Sequence, residues 1–169
     1  MTKKPAQKSS QQKLPERRQN LSPQRDQPAA LLTELVRQRM KESLATIEMG
    51  FEVDLVEQGR AVFSLDPEPR HKQIHGVVHG GILAALADTA SAIAAYTTIP
   101  QGAEIATLEL KINYLQPVSG GRITADARVL RAGRNFVVTE CEIRDNQGGL
   151  AAKALLTFAA TAGHSLQQD

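Results

Sequence analysis

One alanine-rich segment, residues 80–96 (GGILAALADTASAIAAY), constrains the fold more than any other part of the chain. Alanine is the strongest helix former, and small side chains let a second layer pack close to the helix axis. Pro100 and Gly102 follow the segment and predict its end. We therefore expect one long helix at the centre of the molecule, covered by another layer.

The covering layer is predicted to be a sheet. Apolar and polar residues alternate, as in half-buried strands, over residues 51–57, 61–65, 108–114, 123–129, 137–143 and 152–160. Short turns at 119–121, 132–134 and 146–149 predict that the last four strands are antiparallel neighbours. A sheet with one apolar face needs a covering element. We predict an α+β fold in which an antiparallel sheet wraps around a long central alanine-rich helix.

The N-terminal part divides into a tail and a helix. Residues 1–28 carry seven Lys/Arg and two Asp/Glu, a net charge of +5, whereas the remainder carries −3. The tail has four prolines and no apolar block, which favours a disordered basic tail over a secretory signal. Apolar residues at three- and four-residue spacing then predict a helix over 29–49. We divide the chain into the basic tail (1–28), one domain (29–163) and a C-terminal tail (164–169).

Composition excludes several classes of partner. The single cysteine excludes an internal disulfide and favours a reducing compartment, so we expect a cytoplasmic protein. Asp88, Thr89 and Ser91 make the alanine-rich segment too polar to span a membrane. The absence of tryptophan argues against base stacking, and a short basic tail is most often only solvated. We expect neither a nucleic acid nor a membrane partner.

Asp88 is the only charged side chain between His79 and Glu104. Desolvating a carboxylate costs free energy, and acids in apolar surroundings cluster where proton transfer or nucleophilic attack takes place. The alternative is a solvent-facing Asp on a surface helix. The residue alone does not decide between the two interpretations.

The chain resembles the hotdog-fold acyl-CoA thioesterases over about residues 30–162. The order helix, two strands, helix, four strands carries the likeness, together with HGVVHGGILAALAD at 75–88 and KINYLQP at 111–117. It is most similar to the PaaI-type branch of the phenylacetate pathway. The loop motif of that family is Asn or Gln, three residues, Gly, two residues, then His-Gly-Gly, which corresponds here to Gln73, Gly76, His79, Gly80 and Gly81. Gln73 stands where Asn is commoner, as also occurs in the related hydroxybenzoyl-CoA thioesterases.

The resemblance implies roles for five residues. The amide of Gly80, at the start of the helix, would polarise the thioester carbonyl, and Asp88 would act as general base or nucleophile. Gln73 would donate its amide to the carbonyl or hold a water. His79 would orient the loop or touch the thioester, unless it only caps the helix. Thr107 falls where the family often has Ser or Thr near the catalytic water.

The geometry of a helix limits which site residues one chain can bring to the same substrate. Gly80 and Asp88 are about 12 Å apart along a helix, whereas both must come within about 3 Å of the reacting group. Either another segment folds over the site, or two helices run antiparallel across a dimer interface. The resemblance implies the second arrangement, with Gly80 and Gln73 from one chain and Asp88 from its partner. The family is commonly tetrameric, as a pair of dimers.

Arg131 and Arg134 flank a turn and could bind the phosphates of CoA. Ser91 lies one turn after Asp88 and could hydrogen-bond it or simply pack. Cys141 lies in an inward-facing row with no paired base, which predicts an inert thiol.

Three histidines, at 71, 75 and 79, would form a metal-ligand row on a helix. However, Gly76 and the β-branched Val77 and Val78 make a helix there doubtful, and the family needs no metal. We therefore expect neither a metal nor a redox cofactor.

We predict an acyl-CoA thioesterase that hydrolyses an acyl- or aryl-CoA to a carboxylic acid and free CoA. One alternative is a hotdog-fold hydratase or dehydratase, but no HFP-like His-plus-acid segment occurs here. Another is a non-catalytic acyl-CoA-binding module. The presence of Asp88 and the lack of an obvious DNA-binding domain argue against that alternative.

Overall fold

A computed structural model of the protein describes residues 28–161. The predicted basic tail, apart from Pro28, and the predicted C-terminal tail lie outside the described residues. The elements are α1 (Ala29–Met40), α2 (Leu44–Glu48), β1 (Glu52–Glu57), β2 (Arg60–Leu65), a 3-10 turn (Pro69–His71), α3 (Gly80–Tyr96), β3 (Glu104–Tyr114), β4 (Ile123–Ala132), β5 (Phe136–Arg144) and β6 (Leu150–Thr161). None of the helices in this part of the chain is long and apolar enough to cross a membrane.

Six antiparallel strands form one sheet in the order β1-β2-β4-β5-β6-β3, and α3 packs against its inner face. Four alanines of α3 (Ala87, Ala90, Ala94 and Ala95) are completely buried, and so are alanines of the facing strands. Small residues on both sides let the sheet curl closely around the helix. The predicted α+β architecture and the predicted bounds of the central helix are confirmed.

The prediction that the last four strands are consecutive neighbours is wrong for β3. This strand pairs with β6 from Glu104↔Thr161 to Tyr114↔Ala152, while β4 lies between β2 and β5. The connection after β3 is held against the loop before α3, because the carbonyl of the buried Val118 accepts a hydrogen bond from Val78 N at 2.8 Å. A short connection that contains glycine permits a hairpin, but it also permits the chain to pass to the other side of the sheet. Here the connection packs against the loop before α3, and the chain enters β4 beside β2.

The predicted single helix over 29–49 is also corrected, because it breaks into α1 and α2. Ser43 begins the second helix as its N-cap, and its side chain accepts a hydrogen bond from Thr46 N. A serine that caps a new helix competes with continuation of the old one, which explains the break.

The two edges of the sheet differ. At the β1 edge, Thr33 Oγ1 of α1 accepts a hydrogen bond from Val56 N at 2.8 Å, and Arg37 Nε donates to Val53 O at 2.9 Å. At the β3 edge, the backbone–backbone hydrogen bonds of the strand within the described range go to its neighbour β6. Leu108 there is 58% exposed. The described part of the chain therefore has one sealed edge and one open, partly apolar edge.

Candidate active site

His79 begins α3 as its N-cap. Its backbone N–H donates to His71 O at 2.8 Å, and its ring Nδ1 accepts a hydrogen bond from Gly81 N at 2.9 Å. Because Nδ1 acts as the acceptor, the neutral ring carries its proton on Nε2. The structure thus assigns His79 a capping contact to backbone.

The cap distinguishes the two glycine amides at the helix start. Gly81 N–H is engaged by the His79 ring, whereas Gly80 N–H has no acceptor among residues 28–161. The Gly80 carbonyl accepts a hydrogen bond from the Tyr114 hydroxyl at 2.8 Å. A free amide at a helix N-terminus, where the helix dipole is positive, favours a partially negative oxygen. Gly80 is therefore the available donor.

Gln73 and Gly80 line the same pocket. The pocket has a volume of about 360 Å³, and Leu83, Tyr114 and Gln116 are also in its wall. The loop before α3 is closed by hydrogen bonds from Gln73 N to Val77 O and from Gly76 N to Gln73 O, both at 2.9 Å. Gly76 adopts a positive φ of 77°, a conformation that glycine takes without strain. Folding of this loop brings Gln73 to the helix start.

Asp88 lies two turns further along α3, on the side that faces β3. Its Oδ1 accepts a hydrogen bond from Thr107 Oγ1 at 2.9 Å. The carboxylate is half-buried in the single chain rather than fully desolvated, because β3 is the open edge of the sheet. Ser91 does not hydrogen-bond to Asp88, since its buried hydroxyl has no hydrogen-bond partner within the described range.

The predicted site residues therefore form two groups within one chain. Gln73, His79 and Gly80 lie at the start of α3, and Asp88 and Thr107 lie about 12 Å along the helix axis. No described segment folds over to join the groups.

Arg131 is the penultimate residue of β4 and Arg134 lies in the turn that follows; both are exposed. Neither forms an ion pair with a described residue. The turn lies at the end of the sheet that also carries Thr107, because Val137 and Thr107 both pair with Phe158. The two arginines are thus on the Asp88 side of the molecule.

The three histidines do not form a row. His71 is buried in the 3-10 turn, with its Nδ1 accepting from Glu68 N at 2.9 Å, whereas His75 and His79 are exposed. No cluster of three His, Cys, Asp or Glu side chains able to hold a metal occurs in residues 28–161. Cys141 is buried as predicted, and burial raises the pKa of its thiol to about 12, with smaller contributions from Asp126 and Glu142.

Tyr114 is the residue that the sequence did not single out. In the alternating pattern over 108–114 it falls in the apolar row of a strand, yet its hydroxyl and ring lie against Gly80. The signal available in the sequence is its place in the KINYLQP segment, and no spacing rule links position 114 to position 80.

Comparison with known proteins identifies the family of this chain. The thioesterase superfamily model matches residues 75–152, a range that includes Gly80, Asp88 and Thr107. The 1,4-dihydroxy-2-naphthoyl-CoA hydrolase of Listeria monocytogenes is 32% identical over 111 residues, which are 66% of this chain and 90% of that protein. This chain belongs to the thioesterase superfamily. It is an enzyme of the thioester hydrolase class.

Solved structures of the superfamily agree with the fold. A thioesterase from Haemophilus influenzae matches with a TM-score of 0.74 at 26% identity, covering 80% of this chain and 94% of that one. The E. coli PaaI protein from the phenylacetic acid degradation operon matches with a TM-score of 0.69 at 26% identity, covering 78% and 94%. The predicted hotdog fold and the PaaI-type likeness are confirmed.

Proposed function

We propose that this protein hydrolyses an acyl- or aryl-CoA thioester to a carboxylic acid and free CoA, at a site shared by two chains. Gly80 and Gln73 of one chain hold the thioester, and Asp88 of the partner supplies the base or nucleophile. The observation that carries the proposal is a free Gly80 amide and an Asp88 carboxylate on one helix, too far apart to act on one carbonyl.

The helix start stabilises the negative charge that develops on the carbonyl oxygen. Gly80 N–H donates to this oxygen, and its alignment with the helix dipole strengthens the bond. The side-chain amide of Gln73, at the same pocket, supplies a second donor or holds a water. Glycine at position 80 also lets the substrate come close to the backbone.

Asp88 starts the reaction by one of two balanced routes. As a general base it takes a proton from water, and the hydroxide adds to the carbonyl carbon before the C–S bond breaks. As a nucleophile it forms a mixed anhydride with release of the CoA thiolate, and water then hydrolyses the anhydride. In both routes the leaving thiolate takes up a proton. Thr107 orients the Asp88 carboxylate through their hydrogen bond.

The arrangement of β3 supports the shared site. This strand runs antiparallel to α3, with Tyr114 against Gly80 and Thr107 against Asp88. If two open β3 edges pair antiparallel about a two-fold axis, the Tyr114 end of each strand lies beside the Thr107 end of the other. Gly80 of one chain then approaches Asp88 of its partner. The tetramer of the family would be a pair of such dimers.

Arg131 and Arg134 bind CoA phosphates in this proposal. Both are exposed at the Asp88 end of the sheet, and guanidinium pairs with phosphate through two hydrogen bonds.

The acyl group occupies the pocket beside Gly80, which is lined mainly by apolar side chains and by the amides of Gln73 and Gln116. Because none of the described residues in its wall is charged, the pocket suits an uncharged aromatic or aliphatic acyl group.

Turnover of a panel of aromatic and aliphatic acyl-CoAs, followed by thiol release, tests the function. We expect Asp88→Asn to lower kcat about a hundredfold or more, because loss of a general base or nucleophile removes the reactive group. Asp66→Asn is the matched control, since Asp66 is exposed and its side chain accepts a hydrogen bond from the surface residue Arg122, away from Asp88. A wild-type protein that hydrolyses none of the acyl-CoAs would refute the proposal.

Mixing two inactive variants tests the shared site. Heterodimers of Asp88→Asn and Gly80→Ala contain one site with both defects and one intact site, so random mixing should restore about a quarter of wild-type activity. Each variant should be inactive when assayed alone: Asp88→Asn lacks the base or nucleophile, and the methyl group of Gly80→Ala occupies the space beside the retained amide. Absence of rescue, with heterodimers demonstrated by mass, would show that Gly80 and Asp88 do not act across an interface.

A further inference from the structure

We propose that Tyr114 is a positioning residue for the Gly80 amide and, through its ring, a specificity-determining wall of the acyl pocket. This inference rests on the proposed function. Tyr114 ends β3, half-exposed at 51%, with its hydroxyl donating to the Gly80 carbonyl at 2.8 Å.

The hydroxyl completes a clamp on one peptide unit. The Gly80 carbonyl and the Gly81 N–H belong to the same peptide group; Tyr114 binds the carbonyl and His79 Nδ1 binds the N–H at 2.9 Å. Two consecutive glycines give this first turn of α3 a wider range of backbone conformations than other residues would, so the two side-chain contacts add to the restraint of the helix itself. The clamp thereby fixes the backbone immediately after the Gly80 N–H.

The peptide on the other side of Gly80 is also held. Its carbonyl, that of His79, accepts hydrogen bonds from Ile82 N at 2.9 Å and from Leu83 N at 3.4 Å. The N–H of Gly80 is the one group of these two peptides that lacks a partner in the described structure. Preorganised donors stabilise developing charge without reorganising during the reaction, and Tyr114 supplies part of that preorganisation.

The ring fills the space that glycine leaves. A Cβ added to Gly80 would lie 3.0 Å from Tyr114 Cζ, 3.2 Å from its hydroxyl oxygen and 3.3 Å from Cε1. Both residues line the pocket of about 360 Å³ with Gln73 and Leu83. Since the thioester carbonyl must lie at Gly80 N–H, the ring of Tyr114 borders the first atoms of the acyl group.

The hydroxyl and the ring can be separated by mutation. Tyr114→Phe keeps the ring and removes the clamp, so kcat should fall about tenfold with KM within about threefold, as for an interaction used mainly in the transition state. Tyr96→Phe is the matched control, because the other tyrosine of the chain lies at the opposite end of α3, near Glu104. A Tyr114→Phe variant with wild-type kcat and KM would overturn the positioning role.

Tyr114→Ala should additionally change the order of preference among the acyl-CoAs, and an unchanged order would overturn the specificity role.

A thermal-stability cycle tests the contact independently of turnover. Gly80→Ala should lower the Tm of the wild type, because the new methyl group meets the Tyr114 ring. The same substitution in the Tyr114→Ala background should leave the Tm unchanged or raise it, since alanine favours a helix over glycine. An equal decrease in both backgrounds would overturn the inference. If the wild type and all variants failed to hydrolyse any acyl-CoA, the proposed function would be refuted. The Tm measurements would still show whether Tyr114 packs against position 80.

Discussion

His79 determines which of two adjacent amides is available at the start of α3. Its ring accepts from Gly81 N and leaves Gly80 N–H free. A histidine beside a glycine pair suggests a reactive imidazole, yet its geometry is that of an N-cap. At this scale the candidate site depends on single hydrogen bonds: His79 to Gly81, Tyr114 to Gly80, and Thr107 to Asp88.

The capping role of His79 gives a prediction. His79→Ala should lower the free energy of unfolding by about 1 kcal/mol, because Gly81 N–H loses its acceptor, whereas His79→Asn should retain most of it. Urea denaturation measures both values. An alanine variant as stable as the asparagine variant would contradict the cap. Thiol-release assays of the asparagine variant would then show whether the ring has a further role at the thioester.

At the scale of elements, strand β2 is joined to β4 by an ion pair. Arg60 donates through Nε and Nη2 to the two oxygens of Asp126, both at 2.9 Å, and Arg128 adds a third bond. Burial alone would raise the pKa of Asp126, but the hydrogen bonds from the two arginines hold it below its ordinary value of 3.8.

A lowered carboxyl pKa means that the pair stabilises the fold above the pKa of the unfolded chain. Asp126→Asn should therefore cost about 1 kcal/mol of unfolding free energy at pH 7. The difference from wild type should shrink as the pH falls below about 3.8, through the pKa of the folded state. Chemical denaturation at several pH values measures it. A difference that is constant with pH would contradict the assignment.

Helix α1 protects the β1 edge. Thr33 and Arg37 satisfy backbone groups that an edge strand would otherwise present to another chain. The combined change Thr33→Val and Arg37→Ala should destabilise the protein by about 1–3 kcal/mol, because the buried Val56 N–H loses its acceptor, and should produce larger species in light scattering. Gln38→Ala, on the exposed side of the same helix, should do neither.

At the scale of the whole molecule, the proposed pairing with a second copy uses the β3 edge, because α1 covers the β1 edge. The shared site requires Tyr114 of one chain to lie opposite the Thr107 region of the other, which places the two-fold axis near Leu110 and Lys111. Strand β3 carries a bulge between Thr107 and Glu109. We therefore expect the regular part of the strand after the bulge, around Lys111, to determine the register of the two paired β3 strands.

Crosslinking tests this register. Lys111→Cys should join two chains through a short bismaleimide, since the exposed side chains of position 111 lie close to each other near the axis. The buried Cys141, with its raised thiol pKa, should remain unmodified. Glu57→Cys on the sealed β1 edge is the control and should not crosslink. Equal crosslinking at both positions would contradict the β3 dimer.

The sequence alone determined those features that are encoded within a few residues of one another. Alanine content, the residues before Gly80 and the following Pro100 specify α3 with its observed bounds, and alternation specifies the strands. The unusual carboxylate at Asp88 and the His79-Gly80-Gly81 start are equally local. The family resemblance also drew attention to Thr107, which the structure places 2.9 Å from Asp88.

Only the tertiary structure decided the rest. It paired β3 with β6 rather than β4, sealed one edge through the contact of Thr33 with Val56, and laid Tyr114 on Gly80, 34 residues away in sequence. Such contacts join distant segments, so they depend on which surfaces pack best once the chain is compact rather than on local propensity or periodicity. Periodicity identifies the faces of each element, whereas packing selects their neighbours.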